Sequence, residues 1–322
     1  MSTSITYLGL NLSSPLLLGS SPLTRHLEPV LALARTGLGA VVVHSLFEEA
    51  ILQADQGADG STAPIDAEPS WPSPDAHLAQ VRRLVQALKI PVIASLNGRH
   101  AGGWVRYARL LQDTGAAALE LNLYYLNAHL DLDSQTIESD LVRLVADVRA
   151  AISIPLAVKL GPYFTGLPAF CRRLTDAGAN GLVLFNRFYQ SDLDMEALQV
   201  VPTLRLSNSE DLLHPLRWTA ILSRRVAADI SLSGGIHTSN DLIKALAAGA
   251  TTVQATASLL RHGPAHATTL LAGLSAWMAE HHYTSIAELR GRLAENSAVD
   301  PTNFERASYI QSLRTWDLRS MS

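Results

Sequence analysis

Eight short apolar runs punctuate this chain, and an amphipathic stretch or an insertion follows each one. The runs lie at 15–19, 40–44, 91–95, 117–123, 155–160, 181–185, 230–233 and 252–255. They are nearly unbroken in Leu, Val, Ile and Ala, as parallel strands covered on both faces are. Helical periodicity fills 26–35, 75–88, 103–114, 134–151, 167–177, 215–226 and 239–248. Eight βα units in 322 residues predict one α/β domain over 1–322, a (β/α)8 TIM barrel. An open doubly wound sheet is the alternative, but it favours a Gly-rich turn after its first strand, and Gly19-Ser-Ser-Pro22 matches that poorly. Two long insertions, Glu48 to Pro74 after strand two and Asn186 to Leu213 after strand six, read as irregular loops of the lid or binding kind. A helical tail is expected over 263–322, with helices near 265–281, 284–294 and 303–313.

Composition narrows the partners. Charged residues make up 17% of the chain, below the usual share of about 25%, and 48% is hydrophobic, so a large core is available. Twenty-five basic residues against 29 acidic ones leave no excess to hold a phosphodiester backbone. One cysteine, Cys171, makes neither an internal disulfide nor a thiolate zinc site, and its helical setting reads as core packing. No apolar run reaches the ~20 residues of a membrane span, and the first 18 residues lack a basic leader segment. The expectation is a cytoplasmic protein that acts on a small molecule, with no metal, no nucleic acid and no membrane. Gly-x-Ser-x-Gly and His-Glu-x-x-His are absent from the sequence.

In such a barrel, chemistry sits where strands end. The polar residues there are Ser20, Ser21, His44, Ser45, Ser95, Asn97, Glu120, Asn122, Tyr125, Lys159, Asn186, Ser233, Gly234, Gly235 and Thr256. Lys159 lies inside the apolar run 155–160, where burial is costly without a partner or a function. It donates to an anionic or electron-accepting ligand atom, forms a Schiff base, or merely reaches the rim or pairs with Glu120. The Gly234–Gly235 pair before a helix near Ser239 lets backbone N–H groups approach a phosphate, although a tight turn explains it equally well. Asn122 and Asn127 each donate and accept, which suits a heterocycle or an amide. Tyr124 reads as packing. Tyr125 is a poor base at neutral pH, with an ordinary pKa of about 10.

Together these segments resemble the class 1 dihydroorotate dehydrogenase superfamily of FMN-binding barrels. The matching stretches are 7–16, 120–123, 155–160, 233–236 and 246–251, in family order along nearly the whole chain. Stretches 20–23, 45–49, 124–125, 215–218, 259–264 and 304–309 resemble the proteins called dihydroorotate dehydrogenase-like. The resemblance implies FMN as cofactor and, by family habit, a homodimer. It places Ser20, Asn122 and Lys159 at the flavin, with His44, Ser45 and Asn97 completing that set. Gly234 and Gly235 match a phosphate cradle, and Asn127 and Asn186 join Asn122 as substrate contacts.

The chain also departs from that pattern. His44 stands where the family has a second flavin lysine, and Thr256-Ala257 where it has Gly-Thr. Leu206 to Glu210 replaces a glycine-rich stretch after strand six, and the substrate loop has no counterpart in 48–74. Tyr125 aligns with the catalytic Cys or Ser base, with Leu126 in place of a proline. A tyrosine serves better as an acid than as a base. Tyr125 and Lys159 are therefore the expected catalytic residues of an FMN-dependent oxidoreductase that exchanges hydride at a C–C bond, with reduction of a C=C bond as one form. The six acidic residues of 48–74 further disfavour a carboxylate such as orotate. An inactive binding barrel and a Schiff-base lyase using Lys159 are the competing readings.

Overall fold

The computed structural model describes residues 2–56, 73–98, 104–124, 126, 128, 130–187 and 191–294, with 309 and 313. Eight parallel strands close on themselves: Leu16–Leu18, Ala40–Val42, Val92–Asn97, Ala118–Leu123, Leu156–Leu160, Gly181–Leu184, Asp229–Ser233 and Thr252–Ala255. Neighbours follow chain order, the eighth strand pairs with the first through Val253 and Leu16, and Val41 beside Val92 links strands two and three. The fold is the expected (β/α)8 barrel, with helices around it.

The period-two alternation of a strand sorts the side chains. Leu119, Leu121 and Leu123 join Leu156, Val158, Leu160 and Leu182 in one large apolar cluster that also holds the helix residues Leu144, Phe170 and Leu174. The alternate residues form a second, small cluster of Leu17, Ala40, Val42, Ile93, Ala118, Ala157 and Val183. An antiparallel hairpin, Ile5–Tyr7 with Leu10–Leu12, adds Tyr7, Leu8 and Leu12 to that small cluster. The Leu8 backbone N–H donates to Asp229 Oδ2 at 2.8 Å at the start of strand seven, which fixes the hairpin to that end of the barrel.

The main helices match their expected places: Ser134–Ala151 and Ser239–Ala248 have the expected bounds, and Asp133 caps the first by accepting from the Thr136 N–H. Three expectations need correction. The insertion after strand two is not irregular at its start: Leu46–Phe47 extends the sheet beside strand three, and Glu48–Gln56 is an α-helix whose Ile51 is buried. The insertion after strand six contains an antiparallel hairpin, Ser191–Asp194 with Gln199–Pro202, all eight residues exposed. In the tail, Pro264–Glu280 matches, but the next helix is only Ile286–Leu289. The helix expected over 303–313 lies almost wholly outside the described residues. A short helix, Ala257–His262, follows strand eight directly. Among the described residues, no helix is long and apolar enough to cross a membrane.

Candidate active site

A cleft of about 720 Å³ opens at the C-terminal ends of the strands, within the range of small-molecule sites. Strand one contributes Ser20 and Ser21, strand five Lys159, and strand six Phe185, Asn186 and Arg187. Strands seven and eight contribute Ser233, Gly234, Gly235, Gln254, Thr256 and Ala257. The insertion after strand six closes the side with Leu204, Arg205, Leu206, Ser207, Asp211 and His214.

Lys159 is 7% exposed, and its charge is met inside the barrel. Glu120 Oε1 lies 3.5 Å from the ammonium, and Gln254 Oε1 accepts from it at 3.3 Å. Gln254 Nε2 donates to Glu120 Oε2 at 2.6 Å, closing a triangle of three buried groups. Pairing with Glu120, the structural role considered for Lys159, is thus present, and Lys159 also lines the cleft. Cross-strand register explains the placement: Asn122 lies beside Lys159, and Ser233 beside Gln254.

Asn186 Nδ2 donates to Asn122 Oδ1 at 2.7 Å, which ties the ends of strands four and six. That pairing leaves the Asn122 NH2 and the Asn186 carbonyl as donor and acceptor for other partners. Asn97 lies beside Asn122 in the sheet, and the hydroxyls of Ser45 and Ser95 meet at 2.8 Å. Asn122, Asn97, Ser45 and His44 are buried and do not line the cleft. His44 is turned elsewhere: Nδ1 meets Thr24 Oγ1 at 3.0 Å and Nε2 meets His77 Nδ1 at 3.2 Å. Burial, then nearby Arg25, pushes His44 down to about 4, and burial, then His44, pushes His77 to about 3. Tyr125 and Asn127 lie outside the described residues.

Gly234 and Gly235 have φ of 104° and 76°, a left-handed backbone that suits glycine. Their surroundings differ. Among the described residues a Cβ at Gly234 meets nothing within 4 Å, whereas one at Gly235 falls 2.2 Å from the Leu212 nitrogen. Close packing on Leu212 accounts for Gly235, while Gly234 leaves open space at the cleft. Arg261 donates to the Ser207 and Leu206 carbonyls at 2.7 and 3.1 Å, and Ser207 Oγ meets His237 Nε2 at 3.0 Å. These contacts tie Leu206 and Ser207 to the turn after strand seven and to the helix Ala257–His262 after strand eight.

Sequence reasoning missed Gln254, Phe185, Arg187, Arg205 and His214 as lining residues. Gln254 carried the same signal as Lys159, a polar residue inside an apolar strand. Phe185 ends the apolar run of strand six, and the others follow it, where the chain lacks apolar periodicity. Among the described residues, no three metal-ligating side chains gather.

A cleft with an amide pair beside it, a charge-neutralised lysine on its floor and a glycine turn at its edge suits a planar polar ligand with an anionic end. The dihydroorotate dehydrogenase family pattern matches residues 72–278. A protein of Aeropyrum pernix assigned as dihydroorotate dehydrogenase A (fumarate) is 29% identical over 70% of this chain and 74% of its own length. The NAD-dependent dihydropyrimidine dehydrogenase subunit PreA of Escherichia coli is 26% identical over 95% of this chain and 80% of its own. The catalytic subunit of dihydroorotate dehydrogenase B (NAD(+)) of Thermoplasma acidophilum is 27% identical, over 90% and 98%. The chain belongs to the dihydroorotate dehydrogenase family, a family of oxidoreductases.

Proposed function

We propose that this protein is an FMN-dependent oxidoreductase that exchanges hydride with a small molecule at a carbon–carbon bond, and that dihydroorotate is not its substrate. The observation that carries the reading is Lys159, buried on the cleft floor with its charge already balanced by Glu120. The donors present fit FMN. Ser21 lines the cleft and has a buried hydroxyl with no hydrogen-bond partner among the described residues, Gly234 leaves room for a close approach, and Lys159 offers a cation. Ser20, Ser21, Lys159, Gly234, Thr256 and Ala257 would hold the group. When bound, it supplies two-electron chemistry, accepting or giving a hydride.

The chain's own residues do the rest. Lys159 places positive charge where negative charge develops on a reduced ligand ring. Asn186 lines the cleft and orients the substrate through its side-chain carbonyl, held in place by its bond to the buried Asn122. Tyr125 supplies the proton to carbon while hydride arrives on its neighbour. The described cleft wall carries Arg187 and Arg205 besides Lys159, against Asp211, so it does not repel an anion. Exclusion of dihydroorotate therefore rests on Tyr125 at the position of the base. By family resemblance we also propose a homodimer, and we place it in the cytoplasm.

His44 favours a second reading, a binding barrel without turnover, because Thr24 and His77 occupy the ring that replaces a flavin lysine. Anaerobic mixing of chemically reduced, FMN-loaded protein with unsaturated acceptors separates the two. On the enzyme reading an activated alkene reoxidises the flavin, orotate does not, and Tyr125→Phe slows the step by about 10²-fold or more. If no acceptor does better than buffer, the binding barrel is the better account.

A further inference from the structure

Gln254 is the one member of the buried triangle with no role so far. It joins strand eight to strands four and five across the barrel interior, 2% exposed, between a group that only donates and one that only accepts. An ammonium offers N–H alone and a carboxylate offers lone pairs alone. A neutral amide is the side chain that satisfies both at once, with its oxygen towards Lys159 and its nitrogen towards Glu120. Glu120 does not line the cleft and stands 3.5 Å from the ammonium, at the limit of a hydrogen bond. Gln254 lines the cleft and closes that gap.

We propose that Gln254 is the positioning residue for Lys159: its amide bridges the lysine to Glu120 and so fixes the ammonium on the cleft floor, with its remaining N–H groups towards the ligand. The bridge is a property of the chain without any cofactor. Its bearing on flavin binding rests on the function proposed above.

The chain has three lysines, and the other two, Lys89 and Lys244, are exposed, so they serve as internal references. Flavin-free protein is treated briefly with acetic anhydride over pH 5–9, and acetylation at each lysine is read by peptide mass spectrometry. In the native protein Lys159 reacts about tenfold or more slowly than the references. In Gln254→Met, of similar volume, that protection is lost at every pH. In Gln254→Glu the new carboxyl lies against the Glu120 carboxylate, with Lys159 beside both and Tyr7 also near Glu120. That carboxyl accepts from Lys159 whether or not it is protonated, and as a carboxylate it holds the unreactive ammonium form more tightly. Protection in this variant is therefore native or greater at every pH, relative to the references.

A purely space-filling Gln254 predicts native protection in the Met variant as well, and that result overturns the proposal, as does a native Lys159 that reacts as fast as Lys89. If the Met variant does not fold, Gln254→Leu, equally apolar and close in volume, is read in its place. FMN affinity is measured alongside. Lys159 protection that responds to Gln254→Met in a protein that ignores FMN sinks the flavin reading and keeps the bridge. FMN bound tightly by a Met variant with native protection does the reverse.

Discussion

Lys159 carries most of what this site can do. A buried cation is tolerated only when paired and hydrogen-bonded, and here a carboxylate and an amide provide both. Lys159→Ala should weaken FMN binding by about tenfold to a hundredfold, read by fluorescence titration, since a hydrogen bond to a charged group contributes about 1.5–3 kcal/mol. The two glycines after strand seven separate by packing. Gly235→Ala forces a methyl onto the Leu212 backbone and should lower stability by several kcal/mol in urea melts, or prevent folding. Gly234→Ala meets open space and should cost only the backbone term, about 1–2 kcal/mol. The His44–His77 pair gives a pH dependence. Both are held below the ordinary histidine value of about 6.5, at about 4 and about 3. The unfolded chain therefore binds more protons between those values, and the pair's contribution is present above pH 6.5 and lost as pH falls towards 4 and 3. His44→Gln should show a smaller drop in urea midpoint between pH 7 and pH 5 than the native protein; an equal drop would contradict this assignment.

At the scale of elements, the strands Ser191–Asp194 and Gln199–Pro202 pair with no other strand among the described residues, and none of their residues is buried. Replacing 191–202 by a short Gly/Ser turn should leave the barrel's melting temperature within a few degrees, by calorimetry. A large fall would mean that it carries barrel stability. The same exposure explains why the hairpin was illegible in the sequence: a strand with no core face writes no alternation of apolar and polar residues. Glu48–Gln56 was illegible for a related reason, because its surroundings in sequence are acidic and rich in Pro and Gly, and Ile51 is its only fully buried anchor among the residues described. The eight barrel strands were legible because each is covered on both faces. Lys159 stood out against such a run, and the Lys159–Glu120 pair was foreseeable. Gln254 carried the same signal, a polar residue inside an apolar run two positions before Thr256, but a neutral amide leaves no charge to explain.

At the scale of the molecule, the barrel separates two tasks. Aliphatic residues on the outward face bind the helices, while the interior is apolar near the N-terminal plug and polar near the cleft. The plug is part of the core: Tyr7 is 1% exposed, and burial, then the carboxylates Glu120 and Asp229, raise its phenol well above the ordinary value. Tyr7→Ala should lower stability by about 3–5 kcal/mol in urea, with the cleft intact in the folded fraction. The central claim, that the cleft above Lys159 is a flavin site, is tested most directly by visible absorption of the purified protein before and after adding FMN and removing the excess. The account predicts a yellow protein with about one flavin per chain, and a largely colourless Lys159→Ala variant. A native protein that stays colourless after incubation with FMN, or a variant that retains as much flavin as the native chain, would contradict it.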